Sequence, residues 1–155
     1  MAELAFDGKV AIVTGSGRNL GREYALLLAS RGAKVVVNDL GVAVDGSSPS
    51  SQIAEEVVAE LRGFGGEAVA SAASVTEMKG GESIVQTALE RFGRLDGVVC
   101  VAGILRERMI FNMTEDEWDE VVRVHLKGCF APTKFATIYW RQMQAGGRLI
   151  YFTSD

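Results

Sequence analysis

The stretch VAIVTGSGRNLGREYALLLASRGAKVVVND, Val10 to Asp39, constrains this chain more than any other. It opens on a short apolar run, Val10–Val13, long enough for a strand buried on both faces. Glycines follow at Gly15, Gly17 and Gly21. Leu20–Ser30 then has helical periodicity, with Tyr24, Leu27 and Leu28 on one face and Gly32 as its stop. KVVVN, Lys34–Asn38, reads as a second buried strand, and Asp39 follows it. A strand that turns sharply into a helix leaves N–H groups unpaired at the helix N-terminus, where the helix dipole also favours an anion. Glycines there let a pyrophosphate approach the backbone. The spacing is G-x-G-x-x-x-G, neither G-x-G-x-x-G nor the P-loop G-x-x-x-x-G-K-[ST]. A glycine triplet alone is equally explained by a tight turn. The acid eighteen residues beyond Gly21 adds the meaning, because a carboxylate at that strand end can accept both hydroxyl protons of an adenosine ribose.

The rest of the chain repeats the alternation. Ile53–Leu61 reads as a helix with Ile53, Val57, Val58 and Leu61 as its stripe, ended by Gly63, Gly65 and Gly66. Glu67–Ala72 is a weaker strand, Glu82–Phe92 a helix and Gly97–Val101 a strand. Thr114 and Glu117 form a capping box that opens a long helix to Gln144, expected to bend near Gly128. Gly147–Phe152 is a fifth strand. The expected class is α/β: a Rossmann-type, doubly wound parallel sheet with helices on both faces. Ligands of such sheets bind beyond the carboxyl ends of the strands, which selects residues 14–21, 39–41, 73–75, 100–104 and 153–155. The 155 residues fit one domain, 1–155. A net charge of −4 without a basic stripe argues against nucleic acid or an acidic membrane surface as partner. No apolar run approaches the ~18 residues of a membrane span. The N-terminus does not read as a signal peptide. Cys100 and Cys129 lie far apart in the chain with no histidine-rich neighbourhood, so no metal site or disulfide is expected. They read as reduced thiols of a cytoplasmic protein.

Thr14, Gly15 and Gly21 match the T-G-x-x-x-G-x-G loop of the short-chain dehydrogenase/reductase family, which the chain resembles from Phe6 onward. NDLG (Asn38–Gly41), followed by a long loop, and VHLKG (Val124–Gly128) are similar to the hydroxyacyl-CoA dehydrogenase domains of multifunctional enzymes of type 2 and their bacterial relatives. The resemblance implies a nicotinamide dinucleotide and the interconversion of a secondary alcohol and a ketone, such as a 3-hydroxyacyl-CoA or a steroid-like alcohol. It assigns the cofactor to Gly15, Gly17, Arg18, Asn19, Leu20, Gly21, Asp39, Leu40, Ser74, Val75, Ala102, Gly103 and Val124. Asn19 replaces the usual middle glycine and is the residue that best tolerates positive φ in its place. Asp39 implies NAD over NADP, because a 2′-phosphate would meet a carboxylate. Arg18 pulls the other way, standing where NADP-preferring members often carry a base, or it is a solvated loop residue or a pyrophosphate contact. Ser74-Val75 replaces the Asp-Val beside the adenine, and Ser74 is a weaker acceptor there. Ala102 and Gly103 match the end of the family's Asn-Asn-Ala-Gly, whereas Cys100 and Val101 replace both asparagines. Those asparagines tie the central strands together, so other groups must do so here. Cys100, in an apolar run without a base, is expected to be inert.

The resemblance places His125, the chain's only histidine, at the asparagine of the catalytic tetrad, and Ser154 at the catalytic serine. The family's Tyr-x-x-x-Lys follows that serine. Neither Tyr139 nor Tyr151 has a lysine four residues on. The 155 residues are therefore expected to be the front part of a longer polypeptide, with the C-terminal strands missing and the segment alone inactive. The alternative is a module that binds NAD or a partner without chemistry. Relatives pair the long helix across a subunit interface, so a homodimer or homotetramer is expected.

Overall fold

The computed structural model describes residues 4–41 and 50–153. The chain runs β1 (Val10–Thr14), α1 (Asn19–Ser30), β2 (Lys34–Asn38), α2 (Gln52–Gly63), β3 (Ala68–Ser71), α3 (Met78–Phe92), β4 (Gly97–Cys100), a 3-10 turn (Ile110–Asn112), α4 (Glu115–Val122), a π turn (Arg123–Lys127), α5 (Gly128–Gln142) and β5 (Arg148–Tyr151). All strand pairs are parallel, in the order β3-β2-β1-β4-β5. The chain leaves β1 toward one edge through β2 and β3, then crosses to β4 and the other edge. The reversal between β1 and β4 is the switch point at which such sheets bind ligands. Register aligns Thr14 with Asn38 and with Cys100, and Asn38 with Ser71, so the strands end level there.

Period-two alternation divides the core between the faces. Val35 and Val37 of β2 pack with Ala25 and Ala29 of α1 and with Val57 and Leu61 of α2. Val36 between them packs with Ile84 and Ala88 of α3 and Trp140 of α5. Each fully buried Val or Ile here contributes roughly 1.5–3 kcal/mol. Both faces of β1, β2 and β4 are thus covered, which is why those strands read as continuous apolar runs rather than alternating ones, whereas edge strand β5 stays largely exposed.

Two expectations change. α3 begins at Met78, not Glu82, although Gly80 and Gly81 fall in its first turn. Those glycines are contact points: a Cβ on Gly81 would lie 2.6–2.9 Å from backbone and Cβ atoms of Ala131, and one on Gly80 would strike the Ser74 carbonyl. They let α3 lie against α5 at backbone distance. The long helix bends as expected, but through a π turn at Arg123–Lys127, with Pro132 in the first turn and a half of α5. Thr114 and Glu117 form the expected capping box.

Asp96 organises the end of the sheet opposite the switch point. Its carboxylate accepts from the Val10 N–H at 2.9 Å, from Arg94 Nε at 2.8 Å and from Lys9 Nζ at 3.4 Å. Burial alone would raise this carboxyl. Arg94, the Val10 N–H and Lys9 outweigh it and hold the group below its ordinary value.

Candidate dinucleotide-binding cleft

At the carboxyl end of β1 the main chain leaves no room for side chains. Gly15 has φ +64°, and a Cβ on it would lie 2.7–2.8 Å from Ala102 Cα and N, so the loops after β1 and β4 touch backbone to backbone. A Cβ on Gly21 would run into the Gly15 carbonyl. Asn19 takes the positive φ expected of it, +48°. Ser16 is fully buried, its N–H donating to Asn38 O at 3.0 Å and its hydroxyl to Val13 O at 2.7 Å. α1 starts behind an extended Arg18, with no side-chain cap and no acid in its first turn. Its leading N–H groups and dipole are left for an anion. Arg18 and Leu20 are exposed beside them.

Asp39 stands across this loop. Its Oδ2 accepts the Gly17 N–H at 2.9 Å and its Oδ1 accepts the Gly41 N–H at 2.8 Å. Beside it the Leu40 carbonyl accepts the Ser50 N–H at 3.2 Å. Asn38, buried at the end of β2, donates through Nδ2 to Ser71 O at 3.1 Å and Ala73 O at 2.9 Å. That ties the ends of β2 and β3 together just ahead of Ser74 and Val75. The Ser74 hydroxyl pairs with Thr76 Oγ1 at 2.9 Å, and buried Val75 packs 2.9 Å from where a Cβ on Gly128 would stand.

The loop after β4, with Cys100 and Val101 where the family has asparagines, is tied to β1 through its main chain. Thr14, fully buried, accepts the N–H groups of Val101 and Ala102 on its hydroxyl oxygen at 3.2 and 3.3 Å. The tie between β1 and the β4 loop therefore starts from β1. Cys100 is buried and packs against Cys129, so residues distant in sequence are neighbours in space; both thiols are free. Burial, with the Cys129 sulfur next to it, pushes the Cys100 thiol up to about 12, in keeping with an inert group.

His125 lies in the π turn, with Val124 before it. Its Nε2 is 2.8 Å from Ile104 O and 3.1 Å from Ile104 N, and a Cβ on Gly103 would meet its Cε1 at 2.7 Å. Nε2 donates to that carbonyl or accepts from that N–H according to the tautomer. Arg106 reaches Glu120 at 2.6 Å and Arg108 reaches Glu117 at 3.0 Å, pinning the rest of the loop to α4.

The structure thus joins Gly15 to Ala102, Gly17 to Asp39, Gly103 to His125 and Val75 to Gly128 along one sheet end. Ser154 lies outside the described residues. The strand-end ranges read from the sequence include Thr14, Ser16 and Gly41 but give Ser16 and Gly41 no role of their own; Asn38 enters only through the NDLG match and Ile53 only as part of a helix stripe. The available signal was polar residues closing otherwise apolar strands. The cleared backbone, the uncapped α1 and the carboxylate facing them fit a dinucleotide: pyrophosphate at the helix, ribose diol at Asp39. Among the described residues no cluster of His, Cys, Asp and Glu could hold a metal, and no helix is long and apolar enough to cross a membrane.

Residues 9–155 match the family model described as short chain dehydrogenase. The chain is 49% identical over 153 residues to the peroxisomal multifunctional enzyme type 2 of Drosophila melanogaster, covering 99% of this chain and 25% of that protein. It is 45% identical to the hydroxyacyl-CoA dehydrogenase ChsB1 of Mycobacterium tuberculosis, over 87% of this chain and 41% of that one. A crystal structure of a short chain dehydrogenase from Mycobacterium avium superposes with a TM-score of 0.89 at 47% identity, covering 96% of this chain and 53% of that one. The chain therefore spans between a quarter and about half of these relatives. With the order β3-β2-β1-β4-β5 and the glycine cradle at its switch point, this chain belongs to the short-chain dehydrogenase family.

Proposed function

We propose that the chain forms the cofactor-binding part of an NAD-dependent dehydrogenase that interconverts a secondary alcohol and a ketone. A 3-hydroxyacyl-CoA is the favoured substrate class, supported by the name of one relative, the hydroxyacyl-CoA dehydrogenase ChsB1, and a steroid-like alcohol is the other. The observation that carries the reading is Asp39. Its carboxylate is fixed against the Gly17 N–H, beside an α1 that has no cap of its own. An adenosine ribose diol can donate both protons to that carboxylate, and the pyrophosphate is met by the α1 N–H groups. When bound, a nicotinamide supplies the hydride acceptor or donor. Gly15, Ala102 and Gly103 carry nothing larger than a methyl where the loops after β1 and β4 meet. Ser74 and Val75 border the adenine end of the cleft. Ser154 would polarise the substrate oxygen, and His125 would hold a proton beside the Ile104 main chain.

Titration calorimetry with NAD+ tests the reading. The protein binds NAD+, and Asp39→Ala weakens it about ten- to a hundredfold, the worth of hydrogen bonds to a charged acceptor. Equal affinity of the two proteins would overturn the assignment. Turnover of a 3-hydroxyacyl-CoA panel by a polypeptide that joins these residues to a Tyr-x-x-x-Lys pair, followed by the absorbance of the reduced nicotinamide, then addresses the substrate.

The outer face of α4, the π turn and α5 supports a homodimer or homotetramer. Leu126 and Phe130 are 70% and 55% exposed there and line a groove of 420 Å³ with Val122, Asp119, Arg123 and Lys127. A monomer in sedimentation at micromolar concentration would refute that assembly.

A further inference from the structure

An apolar side chain beside Asp39 carries a further step, which rests on the dinucleotide reading above. Gly17 is buried, and the side on which any other residue would carry Cβ is already filled. The Ile53 Cγ2 methyl stands there, with the Asp39 Cγ and Oδ2 2.8 Å from the same point. The methyl and the carboxylate therefore lie side by side against Gly17, just beyond the end of β2. Neither has an easy alternative place. The carboxylate is held at both oxygens by the Gly17 and Gly41 N–H groups. Ile53 is in the first turn of α2, whose Ala54, Val57, Val58 and Leu61 are buried in the core. Its β-branched χ1 is stiff in a helix.

Charge alone does not settle which dinucleotide such a site takes. Arg18, exposed on the same loop, forms no salt bridge among the described residues and opposes the Asp39 field. We propose that Ile53 is a second specificity determinant: its Cγ2 methyl fills the space beside the Asp39 carboxylate that a ribose 2′-phosphate needs. A phosphate monoester brings near two negative charges and three acceptor oxygens. Against a methyl those oxygens lose water and gain no donor. A ribose 2′-hydroxyl is smaller and has its acceptor in Asp39. NADP is thus refused by shape and desolvation as well as by charge, a repulsive element that leaves NAD untouched.

Titration calorimetry with NAD+ and NADP+ tests this in an Asp39→Asn background, which removes the charge and keeps one carbonyl oxygen for the loop. Adding Ile53→Ala tightens NADP+ about tenfold, the scale of relieving an overpacked contact, and moves NAD+ less than about threefold. Ile53→Leu, which has no Cγ2 methyl but keeps the apolar volume, shifts the preference the same way and serves if the alanine variant does not fold. Ile53→Val keeps a methyl at that position and leaves both affinities within about threefold. An NADP+/NAD+ preference that changes less than about threefold in both the alanine and leucine variants, or an equal gain for both dinucleotides, overturns the role of Ile53. A parent protein that binds neither dinucleotide overturns the underlying reading instead.

Discussion

Replacing Thr14 by valine isolates the tie between β1 and the loop after β4. The two side chains have nearly the same shape, so the substitution removes a hydroxyl from a fully buried site and little else. Two main-chain donors, the N–H groups of Val101 and Ala102, lose their acceptor. A buried donor left unpaired costs about 1–3 kcal/mol. These bonds are long, at 3.2 and 3.3 Å, and Val101 and Ala102 are only half-buried, so the low end applies to each. The sum is about 2 kcal/mol, which for a domain of this size lowers Tm by about 4–8 °C. Guanidinium unfolding reads the change as a shift in midpoint at constant m. Thr14→Ser separates the causes, since it keeps the hydroxyl and loses a buried methyl. If the hydrogen bonds dominate, the serine protein is the more stable of the two variants, and hydrogen exchange at Val101 and Ala102 accelerates only in the valine protein. A valine protein within about 0.5 kcal/mol of the parent, or more stable than the serine one, would refute the reasoning.

Three further outcomes are expected. Asn19→Ala, at φ +48°, destabilises by about 1 kcal/mol, whereas Asn19→Gly stays within about 0.5 kcal/mol of the parent, both read by chemical unfolding. Gly81→Ala forces a Cβ to within 2.6 Å of the Ala131 carbonyl carbon and costs about 1–3 kcal/mol or more, accompanied by reduced protection of α3 amides in hydrogen exchange. Asp96 has a depressed carboxyl in the folded protein, so its contribution is complete above the unfolded carboxyl value of about 4 and is lost as pH falls toward the lower folded value. Unfolding measured from pH 7 to pH 3 should therefore show Asp96→Asn less stable than the parent at neutrality, with the gap narrowing below about pH 4; a constant gap would rule the linkage out.

The architecture was legible because both faces of the inner strands are covered. Runs such as VAIV and KVVVN can only be buried strands when helical stripes alternate with them, and Asp39 is informative because it follows the second run. Asn19 was legible through the steric cost of positive φ. Other features depend on who packs against whom. Gly80 and Gly81 look like breakers until α5 is known to lie on them. Cys100 and Cys129 look unrelated until β4 and α5 are adjacent. Thr14, Ser16 and Asn38 end apolar strands, and the bonds they form run to loops whose approach no local pattern encodes. Ile53 read as one member of a core stripe, and only the missing Cβ of Gly17 reveals its second neighbour.

The π turn between α4 and α5 has a consequence for how the chain tolerates length changes. Such a turn holds one residue more than an α turn. The Gly128 N–H reaches back five positions to the Arg123 carbonyl. Closing 123–127 as an ordinary α turn with all its residues kept would rotate everything after it by about 100°. Gly128 would leave Val75, Ala131 would leave Gly81, and Trp140 would give up the 2.7 Å bond from its indole N–H to the Leu95 carbonyl. The face that α5 presents to the sheet is thus a matter of phase, set by one extra residue beside His125. A one-residue deletion in that turn should therefore be better tolerated than one in the middle of α5, which would rotate the rest of the helix by about 100°.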